Sequence, residues 1–432
     1  MKIRKVQLIL LSFIILLFSI YWITPKSNYK IAEILLIDLV GIIYYKFDLK
    51  YPFVWLSPFI VIYNISASML NILGVRLISY EMMILNMTII SLMTFLTFCI
   101  LFIPQKKNAQ ISLKYLNANV SKAVMRLYDI LYGLVILYIP IFLKSGVSSK
   151  TEMSLSGGLF GYGIVSRLYI YIYILLFIYK LIIYKKFPTK YFISAALLTL
   201  SISFIIGERE MFFSVIICST LGLCFFYRLP LKRIILGGLF IAFLIPILGM
   251  TKQITNKSEL SFSNVNFVEA IFQGEFLSSG RNIEILLNNS NNWEYQYGKS
   301  MLLDFQRCIF PTSIIPVQNS TSWFNEHFND RAYTGFGLGF SYIGEGYLQG
   351  GYVGIIIWVA ILGLIIGILY QNSFKGILNL SIYIFMVPFS IYAMRGDLSY
   401  LFSPLLKQGM LCTGLILIIY SLNKHKYNFK II

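Results

Sequence analysis

Three short stretches of the chain set an arginine next to glycine or between acids: Gly280-Arg281, Gly207-Glu208-Arg209-Glu210 and Arg395-Gly396-Asp397. A guanidinium keeps its charge at every physiological pH, and its planar fork meets two phosphate oxygens at once. Arginines held in such turns suit an anionic leaving group. A fourth stretch, Glu326 to Arg331 (EHFNDR), groups His327 with Glu326, Asp330 and Arg331. Histidine among carboxylates serves as a general base or as a metal ligand. No second His or Cys stands at ligand spacing, so the stretch implies no metal. The fifth, Gly335 to Gly354 (GFGLGFSYIGEGYLQGGYVG), is rich in glycine and aromatics and carries one carboxylate, Glu345. No strand precedes it, which excludes a soluble nucleotide loop. It reads as pliable backbone that can approach a ligand closely, or as small-residue helix packing at Gly350, Gly351 and Gly354.

These stretches must be held by a scaffold that is mostly apolar. Of 432 residues, 58% are hydrophobic and 12% charged, whereas a soluble domain carries about a quarter charged. The apolar residues fall in runs of the length that crosses a hydrocarbon layer about 30 Å thick. Helices are expected near 6–23, 31–46, 52–74, 83–104, 127–144, 164–184, 188–206, 211–228, 234–250, 352–370, 377–394 and 398–420. The run at 31–46 fits least well, because Glu33 and Asp38 belong at an interface or facing the bundle.

The net charge of +18 comes from lysines and arginines between the runs, where they set topology rather than bind nucleic acid. Lys46, Lys50, Lys106, Lys107, Lys185, Lys186, Arg228, Lys232, Arg233 and Lys375 fall on one side with both termini. The positive-inside rule makes that side cytoplasmic and the span number even. The expected fold is therefore an all-α polytopic membrane protein of about 12 spans, a single domain over 1–432. Residues 251–351 form one large extracytoplasmic loop, which holds nine of the chain's 18 acidic residues. Within it, Asn266 to Leu287 reads as two short amphipathic helices broken at Ser278-Ser279-Gly280, with Arg281 opening the second. There Arg281 would meet an anion together with free backbone amides, or would pair with Glu284.

The layout, together with Gly280-Arg281, Glu345-Gly346-Tyr347 with Gly350 before a helix, and Arg395-Gly396-Asp397, resembles the Wzy-type polymerases of O-antigen and capsule repeat units. The resemblance implies a membrane glycosyltransferase of the bacterial cytoplasmic membrane, acting at its outer face. It would move a growing glycan from one undecaprenyl pyrophosphate to a repeat unit on another, without cofactor or metal. A partner protein regulating chain length also fits such an enzyme. On this reading Arg209, Arg281, Arg331 and Arg395 face pyrophosphate, Arg281 is catalytic, and Glu345 or His327 is the base. Trp293, Tyr295, Tyr297, Trp323 and Tyr333 would stack on sugars or anchor the loop in the interface. Two other readings share the layout: an O-antigen ligase, for which His327 speaks, and a flippase of lipid-linked oligosaccharide, which would carry charges inside the bundle.

Overall fold

The computed structural model describes residues 27–104, 111, 118–145, 161–227, 229–230, 232, 236–237, 272, 275–310, 318–329 and 338–428. The described elements are helical. In chain order they are α1 (Ser27–Tyr44), α2 (Pro52–Ile72), α3 (Glu81–Phe102), α4 (Ala118–Ser145), α5 (Tyr162–Tyr184), α6 (Thr189–Ile206) and α7 (Glu210–Phe226). Then follow α8 (Glu275–Asn288), α9 (Lys299–Ile309), α10 (Ser320–Phe328), α11 (Tyr342–Ser373), α12 (Ile377–Ala393), α13 (Ser399–Pro404), a π-helical turn (Leu405–Met410) and α14 (Leu411–Asn428).

Among the described residues, seven helical stretches are long and apolar enough to cross a membrane: α2 to α6, α11, and the run Ser399–Ile418. Helices α7 and α12 are apolar but shorter, at 17 residues each. The runs expected at 6–23 and 234–250 lie outside the described residues, apart from single positions. Helix α1 carries Lys30, Glu33 and Asp38 and is not among the seven. Lys30 and Asp38 are buried, and the Lys30 ammonium donates to Asn86 on α3, so the polar positions of α1 face the bundle.

Different connections meet at the two ends of the bundle. At one end, Tyr45 donates to the carbonyl of Ile103 at 3.3 Å, and Tyr383 donates to that of Lys50 at 2.8 Å. At the other, Glu284 of α8 meets Arg76 and the amide of Ser79, both at 2.8 Å, in the connection between α2 and α3.

Two local features depart from the expected pattern. Helix α8 runs unbroken through Ser278-Ser279-Gly280, so Arg281 sits mid-helix and no free amides surround it. Gly280 is there for contact rather than as a break: a Cβ on it would lie 3.1 Å from Ala67 Cβ and 3.3 Å from the Asn64 carbonyl on α2. The break falls instead inside α11, where Gly350 and Gly351 leave helical geometry. Gly351 has φ 62° and ψ −141°, a region open to glycine and costly for other residues. The carbonyls freed at the break accept from the Gln296 and Tyr297 amides at 3.0 and 3.1 Å, which docks the loop between α8 and α9.

Past the break the long half of α11 folds back against the short half. A Cβ on Gly354 would stand 2.1 Å from the Gly346 carbonyl oxygen. Gly354→Ala is therefore expected to destabilise the fold by about 1–3 kcal/mol, the usual cost of overpacking. Thermal unfolding in detergent checks this, and an unchanged midpoint would mean the two halves are not in this contact.

Candidate active site

At the end of the bundle where α8 meets the connection between α2 and α3, α8 to α10, the short half of α11 and the turn between α12 and α13 converge. They are joined by buried hydrogen bonds. Ser341 caps α11 and accepts from the Ser279 hydroxyl of α8 at 2.8 Å. Asn282 donates to the Gly339 carbonyl at 2.6 Å, and a Cβ on Gly339 would be 2.6 Å from the Arg395 carbonyl. The backbones that carry Arg281 and Arg395 are thus tied through residues 339–341.

Arg281 is half-buried, and its Nε is enclosed without a hydrogen-bond partner. Its neighbour Glu284 is engaged with Arg76 instead. Burial and the nearby Arg76 charge push the Arg281 pKa down. A guanidinium in this condition is stabilised by an incoming anion, which restores a hydrogen-bond partner and offsets the like charge. Arg395 is also half-buried and lies over the Tyr392 ring at 4.6 Å, donating to its hydroxyl at 3.2 Å. Arg209 is half-buried at the opening of α7. It stands in the connection after α6, beside Glu208 and near the ion pair of Arg167 and Glu210 at 3.7 Å. Arg331 and Tyr333 lie outside the described residues.

Three carboxylates, Asp304, Glu345 and Asp397, are fully buried at this end of the bundle. Glu345 accepts from the Ser320 hydroxyl at 2.6 Å and from the Leu398 amide at 2.9 Å. Asp397 accepts from Asn319 at 2.6 Å, from the Thr321 amide at 3.0 Å, and from the amide and hydroxyl of Ser399. Asp304 accepts from the Ser320 amide at 3.3 Å. Together they hold α9, α10 and α11 to the turn that follows Arg395. The Glu345 oxygens are enclosed and already engaged by donors.

Burial, with the Glu345 and Asp397 carboxylates close by, pushes the Asp304 carboxyl far above the usual carboxylate range, and its hydrogen bond to Glu345 adds to this. The direction of the shift favours the protonated form of Asp304. A carboxyl whose folded pKa is raised contributes stability that is complete below the unfolded value near pH 4 and declines as pH climbs toward the folded value, by up to about 1.4 kcal/mol per pH unit. Asp304→Asn, neutral throughout, is expected to lose less thermal stability than wild type between pH 6 and pH 9. Equal losses in melting curves would show that Asp304 does not carry the proton.

His327 lies apart from the carboxylates, exposed in the last turn of α10. Its Nδ1 is 2.9 Å from the Trp323 carbonyl, and its ring lies against Trp323 at 4.6 Å. Because a carbonyl only accepts, Nδ1 carries the hydrogen at this contact, the tautomer that leaves the lone pair on Nε2. Phe324, one turn earlier, packs with Phe340, Leu348 and Leu286 of α8, so the helices bearing His327 and Arg281 share one apolar seam. Trp293 and Tyr295 stand edge-on to Tyr347 beside it, and Tyr297 is exposed.

Sequence reasoning singled out Arg281, Arg395, Arg209 and His327 but not the hydrogen-bonded network beside the Arg395 turn. Asp304, Asn319, Ser320 and Asp397 act across separations of 16 to 78 residues. The tight Arg395-Gly396-Asp397 turn was the one visible sign.

The fold and this site define a multi-pass helical membrane protein with a buried carboxylate network at one end, beside the turn that carries Arg395. Over residues 6–428 the chain matches the family model described as O-antigen polysaccharide polymerase Wzy, and it belongs to that family. No curated protein and no solved structure matches it.

Proposed function

We propose that the chain joins oligosaccharide repeat units carried on undecaprenyl pyrophosphate, at the outer face of the bacterial cytoplasmic membrane. The observation that carries the reading is Arg281, a half-buried guanidinium with an enclosed, unpartnered Nε on a backbone tied to that of Arg395. A hydroxyl of the acceptor sugar attacks the anomeric carbon of the donor glycan. The bond from that carbon to the pyrophosphate oxygen breaks, and the electron pair leaves with the lipid pyrophosphate. Arg281 and Arg395 neutralise the charge that develops there. The hydroxyl proton passes to His327 Nε2, the exposed base, while Glu345 holds the Arg395 turn.

The purified protein, given lipid-pyrophosphate-linked repeat units, is expected to release one lipid pyrophosphate for each linkage formed. His327→Ala should slow this by about 100-fold, within the usual range for loss of a general base. Full activity in that variant would remove His327 from the mechanism. Absence of any linkage with wild type would overturn the reading itself.

A further inference from the structure

Lys407 lies inside the apolar run Ser399–Ile418, on its π-helical turn Leu405–Met410. An ionisable residue in an apolar membrane segment costs free energy and most often marks a functional path. A π turn interrupts the regular helix and tends to occur at working sites. Both features fall on one residue that the reaction described above does not use.

The surroundings of Lys407 are cationic. Its ammonium donates to the Arg307 carbonyl at 3.1 Å, and the π turn packs on α5 and α9, which bring Arg167 and Arg307 within electrostatic reach. Arg307 is half-buried, and its guanidinium has a long 3.4 Å contact with the Ser322 hydroxyl. Among the described residues, no carboxylate stands within ion-pair distance of Lys407 or Arg307. Arg167 pairs with Glu210 at 3.7 Å. Glu208, Glu210, Ser166 and Ser214 line a small recess beside Arg167, where the carboxylates disfavour an anion, whereas Lys407 and Arg307 favour one. Lys407 and Arg307, partly buried and without matching carboxylates, repel one another, and an anion between them offsets that cost.

The cluster is also at the level of the site. Cys308, next to Arg307, reaches the Ser399 carbonyl at 3.8 Å, and Ser399 is bound to Asp397. Residues 395–407 thus run from the first group of arginines to the second group of cations.

We infer that Lys407 and Arg307, with Arg167, form a second phosphate-binding site, which takes the pyrophosphate of the second lipid-linked chain while Arg281 and Arg395 take the first. The inference rests on the proposed polymerase reaction, in which two lipid pyrophosphates must be held at once. A bulk anionic phospholipid headgroup presents similar chemistry, and the test separates the two sources.

Full-length protein in phosphatidylcholine nanodiscs would be titrated with farnesyl pyrophosphate by calorimetry. Wild type is expected to take two equivalents. The double variant Lys407→Gln/Arg307→Gln should keep one and lose the other by about tenfold or more in affinity, the usual worth of a charge-assisted bond. Lys407→Arg, which keeps the charge, should bind as wild type and shows that the loss is not misfolding. Arg281→Ala should lose the other equivalent. A wild-type stoichiometry of one, or two equivalents retained in the double variant, would overturn the second site. Competition by added phosphatidylglycerol would overturn its assignment to the lipid-linked substrate. If Arg281→Ala keeps both equivalents while the double variant loses one, the fault lies in the proposed role of Arg281 and not in this site.

Discussion

Arg281→Ala and Arg395→Ala are each expected to lower the turnover of lipid-linked units by about 100- to 1000-fold, the range seen when one preorganised donor to a developing anion is removed. Both arginines act on the same leaving group, so the double variant should fall well short of the product of the single losses. Arg281→Lys tests the geometry. It restores charge but not the two-pronged contact, and recovery should be partial. The half-buried position of Arg281 makes the effect large, because the Arg76–Glu284 pair beside it is already satisfied and supplies no replacement. Rates measured on purified protein check these outcomes, and a turnover within threefold of wild type for either alanine variant would exclude that arginine.

Glu345→Ala has the second large expected effect. The glutamate is fully buried and receives both the Ser320 hydroxyl and the Leu398 amide. Its removal leaves two enclosed donors without an acceptor, at a cost of about 1–3 kcal/mol each. It also frees the turn that presents Arg395. Turnover should fall with Arg395 misplaced, and the melting temperature should fall with it. Glu345→Gln keeps an acceptor oxygen for the Leu398 amide, and its NH2 can donate to the Ser320 hydroxyl, which rotates to accept, so it should retain most of the stability. If Glu345→Gln is as inactive as Glu345→Ala while fully folded, the carboxylate itself takes part in the chemistry and the positioning role is wrong.

Much of the scaffold was legible because apolar run length is a direct physical requirement of a membrane. The runs expected at 52–74, 164–184 and 377–394 correspond to Pro52–Ile72, Tyr162–Tyr184 and Ile377–Ala393. Helix α4 begins at Ala118, earlier than expected, because its first turns are polar and leave no hydropathy signal. Ser278-Ser279-Gly280 reads locally as a break, yet close packing on Ala67 and Asn64 keeps α8 continuous. Tertiary contact overrides a weak local preference there. The count of twelve spans goes beyond the seven candidates among the described residues.

The site was legible in part for a related reason. Arginine beside glycine or between acids stands out in an apolar chain, which is why Arg209, Arg281 and Arg395 were found. Glu345 was noticed for its charge, but its burial depends on Ser320 and Leu398, 25 and 53 residues away. No spacing rule connects them. Lys407 was hidden inside an apolar run whose π turn has no sequence signature.

The most direct test of the central claim is the electrophoretic pattern of surface glycan from cells lacking this chain, complemented with wild type or with Arg281→Ala. The account predicts a single repeat unit on the acceptor lipid in the deletion strain, a full ladder with wild type, and no ladder with Arg281→Ala. Loss of all surface glycan, with complete polymer stranded on undecaprenyl pyrophosphate, would contradict it by placing the chain at ligation instead.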